Sequence, residues 1–190
     1  DYHVPVRIGT DAALALSMCK VIIDGGLYQK QFVQEQTDLP LLIRKDDGRF
    51  LRGSDVAAGD RDDQFFWWDT LTGTLTPAPR HTLATTGVDP ALEGTFRVML
   101  KDGRTIEVEP GFARLRRHLE DYEPEKAGAV CEVNPDNIRT LARKVATRKT
   151  KIFLGWNSGK YYHGDLMERS MALLLGLTGN WGRKGTGTRS

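Results

Sequence analysis

The chain has 190 residues, 39% of them hydrophobic and 27% charged, and a formal net charge of +2. That length allows one ordinary domain with an appendage, and the near-neutral charge argues against a dedicated nucleic-acid binder. No apolar run approaches a membrane span, and two cysteines, Cys19 and Cys131, give neither metal-ligand spacing nor a disulfide framework, so both read as small buried apolar residues.

Residues 2–8 alternate, with Val4, Val6 and Ile8 on one side, and predict a short strand whose Pro5 suits an edge. Gly9, Thr10 and Asp11 make a turn into a helix over about 11–23, with Leu14, Met18, Val21 and Ile22 on one face. Thr10 or Asp11 suits the N-cap, and Gly25 with Gly26 stops the helix. A second short helix is expected over 28–36, with Phe32 and Val33 inward.

Residues 37–111 read as a β-rich insertion. Asp46, Asp47 and Gly48 lie between apolar runs as a hairpin signal. A clearer hairpin has Phe96, Val98 and Leu100 before Lys101, Asp102 and Gly103, and Ile106 and Val108 after them. Four successive aromatics at 65–68 read as the insertion's own core. Helix returns over 112–122. Asn134 and Pro135 then open another helix as cap and first residue, with Ile138, Leu141, Ala142 and Val145 as its core stripe.

The chain is organised around 151–187. A strand over 151–154 leads into a polar turn, a helix carrying Met167, Met171, Leu174 and Leu175, and a glycine-rich stretch from Gly176 to Gly187. Strand, loop and helix in this order form an α/β ligand site, because the loop sits at the strand's carboxyl end and the helix's positive end. Neither the dinucleotide fingerprint nor the P-loop pattern is present.

Two groups of residues are candidate ligand contacts. Arg7, Gly9, Thr10 and Asp11 set a cation, a hydroxyl and a carboxylate at a strand-to-helix turn. Asp11 is either a helix cap or an acceptor for the N1–H and N2–H of a guanine. Asn157, Ser158, Gly159 and Lys160, with His163 nearby, offer amide, hydroxyl, backbone N–H and cationic donors to phosphates or a pterin edge, or are merely a turn. Trp156 is either a pocket wall or a core aromatic. Asp165 and Glu168 fit a capping box. Arg183 and Lys184 lie in a stretch that either approaches an anion or is a solvated linker.

Together these motifs resemble a known family. Residues 4–18, VPVRIGTDAALALSM, are similar to the R-x-G-T-D-A-A-L segment of the molybdopterin oxidoreductases of the DMSO reductase family. Residues 134–187 resemble that family's later segment, with its G-x-N loop and terminal L-T-G-N-x-G-x-x-G-x-G. Residues 34–52 and the FFWWD run resemble the subgroup holding nitrate, selenate, chlorate and perchlorate reductases with ethylbenzene and dimethyl sulfide dehydrogenases. Ile8 departs from a proline common in the family.

The resemblance implies part of a catalytic subunit whose molybdenum is held by two molybdopterin guanine dinucleotides, and oxygen-atom transfer or hydroxylation at the metal. Gly9, Thr10 and Asp11 match the turn that contacts a guanosine end, and Arg7 stands where the family often has Arg. Trp156, Asn157, Ser158 and Gly159 match the loop near the pterin and metal, with Trp156 as a candidate wall of the substrate channel. The family's iron–sulfur ligands and its protein ligand to molybdenum are not in the chain. With no initiator Met and an end just after a glycine loop, the chain is expected to be a piece of a longer protein, those ligands lying upstream and the piece inactive alone. Its compartment is therefore open, the parent enzyme being expected in the periplasm or at the membrane of a prokaryote. Implied partners are an iron–sulfur electron-transfer beta subunit and a haem-containing gamma subunit, with no nucleic acid and no direct membrane span. The expected fold is α/β: a Rossmann-like αβα cofactor domain (1–36 and 112–190) interrupted by the β-rich insertion (37–111). The rival reading is a stand-alone guanine-nucleotide-binding α/β module without redox activity.

Overall fold

A computed structural model describes residues 2–189. The chain divides into two compact units, Asp1–Phe32 with His118–Ser190, and Val33–Arg117. The fold is mixed α/β, and its sheets are small.

The first unit is built around helix α1 (Asp11–Asp24), which packs against α5 (Pro124–Cys131), α6 (Pro135–Thr147) and α7 (Gly164–Leu177). Apolar residues on more than one side of α1 explain its central place: Ala15, Met18, Cys19, Ile22 and Ile23 are all buried. Asn134 caps α6, its side-chain oxygen accepting from Asp136 N at 2.8 Å, and Pro135 fills the first turn where no N–H is needed. Ile138 and Ala142 of that helix are fully buried. Strand β6 (Lys151–Phe153) pairs in parallel with β7 (Gly187–Arg189), Ile152 opposite Thr188. The glycine-rich stretch therefore folds back onto the strand that precedes the polar turn, and is no linker. Arg183 and Lys184 lie exposed on it.

Residues 2–8 form no strand. Alternation favours an extended segment, but a strand also needs a neighbour to take its N–H and C=O groups. Here the segment is tied by single contacts: Arg7 N donates to Cys131 O at 3.0 Å, and the Lys144 ammonium sits 3.6 Å over the Tyr2 ring. Ile8, at the end of that segment, is 78% exposed.

The second unit holds a three-stranded antiparallel sheet in the order β1 (Leu42–Arg44), β5 (Thr105–Pro110), β4 (Phe96–Met99), and a hairpin of β2 (Phe66–Asp69) and β3 (Thr74–Pro77). It also holds the short helix α3 (Gly53–Val56) and nearly all of α4 (Gly111–His118), while α2 (Lys30–Gln36) begins in the first unit and ends in the second. The β4–β5 turn falls at Asp102 and Gly103, as its sequence predicts. Leu42, Leu51, Phe66, Val98, Leu100, Ile106 and Val108 form one core, with Trp68 stacked on Phe96 at 4.4 Å between ring centres. Phe66 and Trp68 of the aromatic run thus belong to their own unit's core.

Candidate functional site

The site lies within the first unit and is made by two turns. The first precedes α1. Thr10 holds the N-cap position but makes no side-chain capping bond: its hydroxyl donates backward to Arg7 O at 2.7 Å, while its carbonyl accepts from Ala13 N at 3.0 Å. Gly9 takes φ 84°, a conformation that glycine adopts without strain, and this lets the chain reverse into the helix. Asp11 becomes the first helical residue, where a carboxylate complements the helix's positive end. The reading of Thr10 or Asp11 as a side-chain cap is therefore corrected.

The second turn follows β6. Ser158 N and Ser158 Oγ both lie against Gly155 O, at 3.0 and 2.7 Å, and Ser158 Oγ is also 2.7 Å from Glu168 Oε1 on α7. A short 3-10 turn (Ser158–Lys160) then leads to Gly164, which is buried at the start of α7. The expected Asp165–Glu168 capping box does not form. The N-cap is His163, at φ 57°, with its ring 4.0 Å from that of Tyr162; Asp165 lies 3.9 Å from Arg169. Glu168 instead reaches back to the turn.

The two turns meet in a cleft of about 340 Å³. Gly9 and Asp11 line it from the first turn; Gly155, Asn157 and Ser158 line it from the second. Met167 and Met171 of α7, Phe153 and Leu154 of the strand end, Tyr161, and Val6 and Ile8 supply the rest. Among the described residues no Lys or Arg lines it. Its polar inventory is one carboxylate, one amide and two hydroxyls between apolar walls. That set suits a flat, uncharged, N–H-bearing ring rather than a phosphate, whose charge a cation-free cleft with a carboxylate does not offset.

The other expected contacts fall elsewhere. Arg7 lies 4.0 Å from Glu132. Thr10 lines a second cleft, of about 360 Å³, with Ala13, Leu16, Tyr122 and Val130, which shares only Gly9 with the first. Trp156, Gly159, Lys160 and His163 do not line either cleft, and Trp156 is 89% exposed. Sequence reasoning missed Phe153, Tyr161, Met167 and Met171 as lining groups. A usable signal existed for the methionines, whose four-residue spacing puts them on one helix face beside the turn; they read only as core.

Among the described residues no group of three or more His, Cys, Asp or Glu could hold a metal ion. Cys19 and Cys131 are both buried, and burial pushes both thiols up, away from the reactive thiolate. Nor, among the described residues, is any helix long and apolar enough to cross a membrane.

No protein-family model matches the chain. It is 39% identical, over 98% of its length, to the perchlorate reductase subunit alpha of Dechloromonas aromatica, and 38% identical, over 97%, to the dimethylsulfide dehydrogenase subunit alpha of Rhodovulum sulfidophilum. It spans 23% and 20% of those relatives' own lengths. In fold it is similar to acetylene hydratase from Pelobacter acetylenicus, with a TM-score of 0.53 at 18% identity, over 97% of this chain and 16% of that one.

Proposed function

The chain belongs to the DMSO reductase family of molybdopterin oxidoreductases, and we propose that its cleft holds a heterocyclic end of a molybdopterin guanine dinucleotide in an enzyme that reduces an oxyanion such as nitrate or selenate, or hydroxylates a hydrocarbon. The observation that carries this is the meeting of Asp11 with Asn157 and Ser158 in one cation-free cleft. Guanine and the pterin share a 2-amino-4-oxo edge with two adjacent N–H groups. A carboxylate accepts both at once, and charge-assisted bonds of this kind are about twice as strong as neutral ones. Met167, Met171 and Phe153 offer apolar surface to the faces of a ring. The volume suits one ring system with its sugar rather than a whole dinucleotide.

The guanine end is the reading taken for Asp11: its N1–H and N2–H suit the carboxylate, and its oxo and ring-nitrogen acceptors suit the Asn157 amide. Exposed Trp156, next to the turn, is assigned to the wall of the substrate channel in the longer enzyme. When bound, the molybdenum cofactor supplies two-electron oxygen-atom chemistry. The chain's own part is to bind, orient and desolvate that cofactor. Electrons pass through iron–sulfur clusters in the longer chain and in a beta subunit, with a haem-containing gamma subunit as a further partner.

The test is molybdenum and nucleotide analysis of the full-length protein with Asp11 intact and as Asp11→Ala. The intact protein carries molybdenum and releases GMP on acid hydrolysis. The variant loses most of both while its secondary structure is kept. A full-length protein that carries no molybdenum yet binds free GDP supports a nucleotide-binding module without redox activity instead.

A further inference from the structure

We infer that Glu168 sets the hydrogen-bond polarity of Ser158, so that the Ser158 side of the cleft accepts N–H donors and turns anions away; the ligand half of this inference rests on the reading just given. Ser158 carries a single hydroxyl hydrogen. Two acceptors compete for it at 2.7 Å, Gly155 O and Glu168 Oε1. Gly155 O already accepts the backbone N–H of Ser158 at 3.0 Å. A carboxylate is the stronger acceptor of the two. The hydrogen therefore belongs to Glu168, and Ser158 is left with lone pairs for whatever enters the cleft it lines.

Glu168 is well placed for this role. Its Oε1 lies so near the turn that a Cβ on Gly159 would stand 3.5 Å from it. Among the described residues no ion pair engages Glu168, whereas Asp165, one turn earlier, lies near Arg169. The carboxylate is thus spent on the turn and not on the helix surface. Asp11, which lines the same cleft, is also an acceptor, so donors there are left to the Asn157 amide and the Tyr161 hydroxyl. A hydroxyl free to rotate would serve a carbonyl or phosphate oxygen equally well; one committed to Glu168 would not. Glu168 is on this account a positioning residue, acting through Ser158 on which ring edge the cleft takes.

The experiment compares Glu168→Ala, Glu168→Gln, Ser158→Ala and the Glu168→Ala/Ser158→Ala double variant in the full-length protein, cofactor-free. One readout is hydrogen exchange by mass spectrometry over 155–164. The other is calorimetric affinity for GMP and for IMP, which lacks the 2-amino group. Glu168→Ala is expected to raise exchange over 155–164, weaken GMP about tenfold, the weight of one good hydrogen bond, and narrow the GMP-over-IMP preference. Glu168→Gln is expected to fall between wild type and Glu168→Ala, because its amide oxygen can accept the same hydrogen but is no stronger an acceptor than Gly155 O. In the Ser158→Ala background, Glu168→Ala adds nothing. Unchanged exchange in Glu168→Ala, or an equal effect with and without the Ser158 hydroxyl, overturns the inference. A wild-type protein that binds neither nucleotide sinks the guanine reading and the ligand half of this inference with it, while the exchange comparison still decides whether Glu168 holds the turn.

Discussion

A Cβ built on Gly164 would stand 2.2 Å from the carbonyl oxygen of Ser158. The start of α7 and the cleft turn are therefore in backbone contact, and no side chain fits between them. Glycine here is a matter of space. Gly164→Ala is expected to push the turn off the helix, at a cost of roughly 2–3 kcal/mol typical of overpacking, and to abolish nucleotide binding at the cleft. Denaturant midpoints and calorimetry on the same samples check both; a fully stable Gly164→Ala protein with wild-type affinity would contradict the contact.

Asn180 joins three elements through one buried amide. Its Oδ1 accepts from Thr150 N at 2.9 Å ahead of β6, and its Nδ2 donates to Val145 O of α6 at 3.1 Å and to Thr178 Oγ1 at 2.8 Å. Asn180→Ala takes the partner from Thr150 N and Val145 O in a site only 5% exposed, while Thr178 Oγ1 keeps its bond to Leu174 O. A loss of about 2–4 kcal/mol is expected, since unmade buried hydrogen bonds cost the full desolvation of the orphaned groups. Asn180→Asp keeps the shape and loses the donor, so thermal denaturation should find it nearly as unstable.

Glu109 of β5 is buried, and Arg117 of α4 grips it through two hydrogen bonds, at 2.6 and 2.8 Å. The Arg117 bonds hold the carboxyl below its ordinary range, more than offsetting burial, which acts the other way. A carboxyl with a lowered folded pKa adds stability that is complete above about pH 5 and drains away as acid protonates the folded form. Arg117→Ala should cost about 2 kcal/mol near neutrality, less than for a fully buried pair because Arg117 is half open to water. The variant should also show a shallower fall in stability between pH 5 and 3 than wild type. Urea titrations across that interval measure it.

Trp156 is 89% exposed and lines neither cleft. Trp156→Ala should leave the melting temperature of the full-length enzyme and its molybdenum content unchanged. On the proposed channel-wall role, its kcat/KM for the proposed oxyanion substrate drops about tenfold or more. Loss of molybdenum in step with activity would assign Trp156 to cofactor retention instead.

Local periodicity and cap chemistry alone determined much of this protein. The apolar spacings of α1, α6 and α7, the Asn134 cap with Pro135 behind it, and the Asp102–Gly103 turn between β4 and β5 are all choices a few neighbouring residues make. The residue pattern around Asp11 and around Asn157 was likewise enough to mark both turns as candidate ligand contacts. Pairing and partner choice were not legible, because they depend on groups distant in the chain. Residues 2–8 alternate like a strand yet find no strand to bond, while Gly187–Arg189, for which no strand was expected, finds β6. Glu168 has the sequence position of a cap partner, but the glycine contact at Gly164 brings the Ser158 hydroxyl within its reach, and a carboxylate takes the better donor it can touch. Only the packing of α7 against α1 brings Asp11 and Ser158 to one cleft and leaves Arg7 and Lys160 outside it. Residue types set what each turn can bind; tertiary packing decides which of those groups face the same ligand.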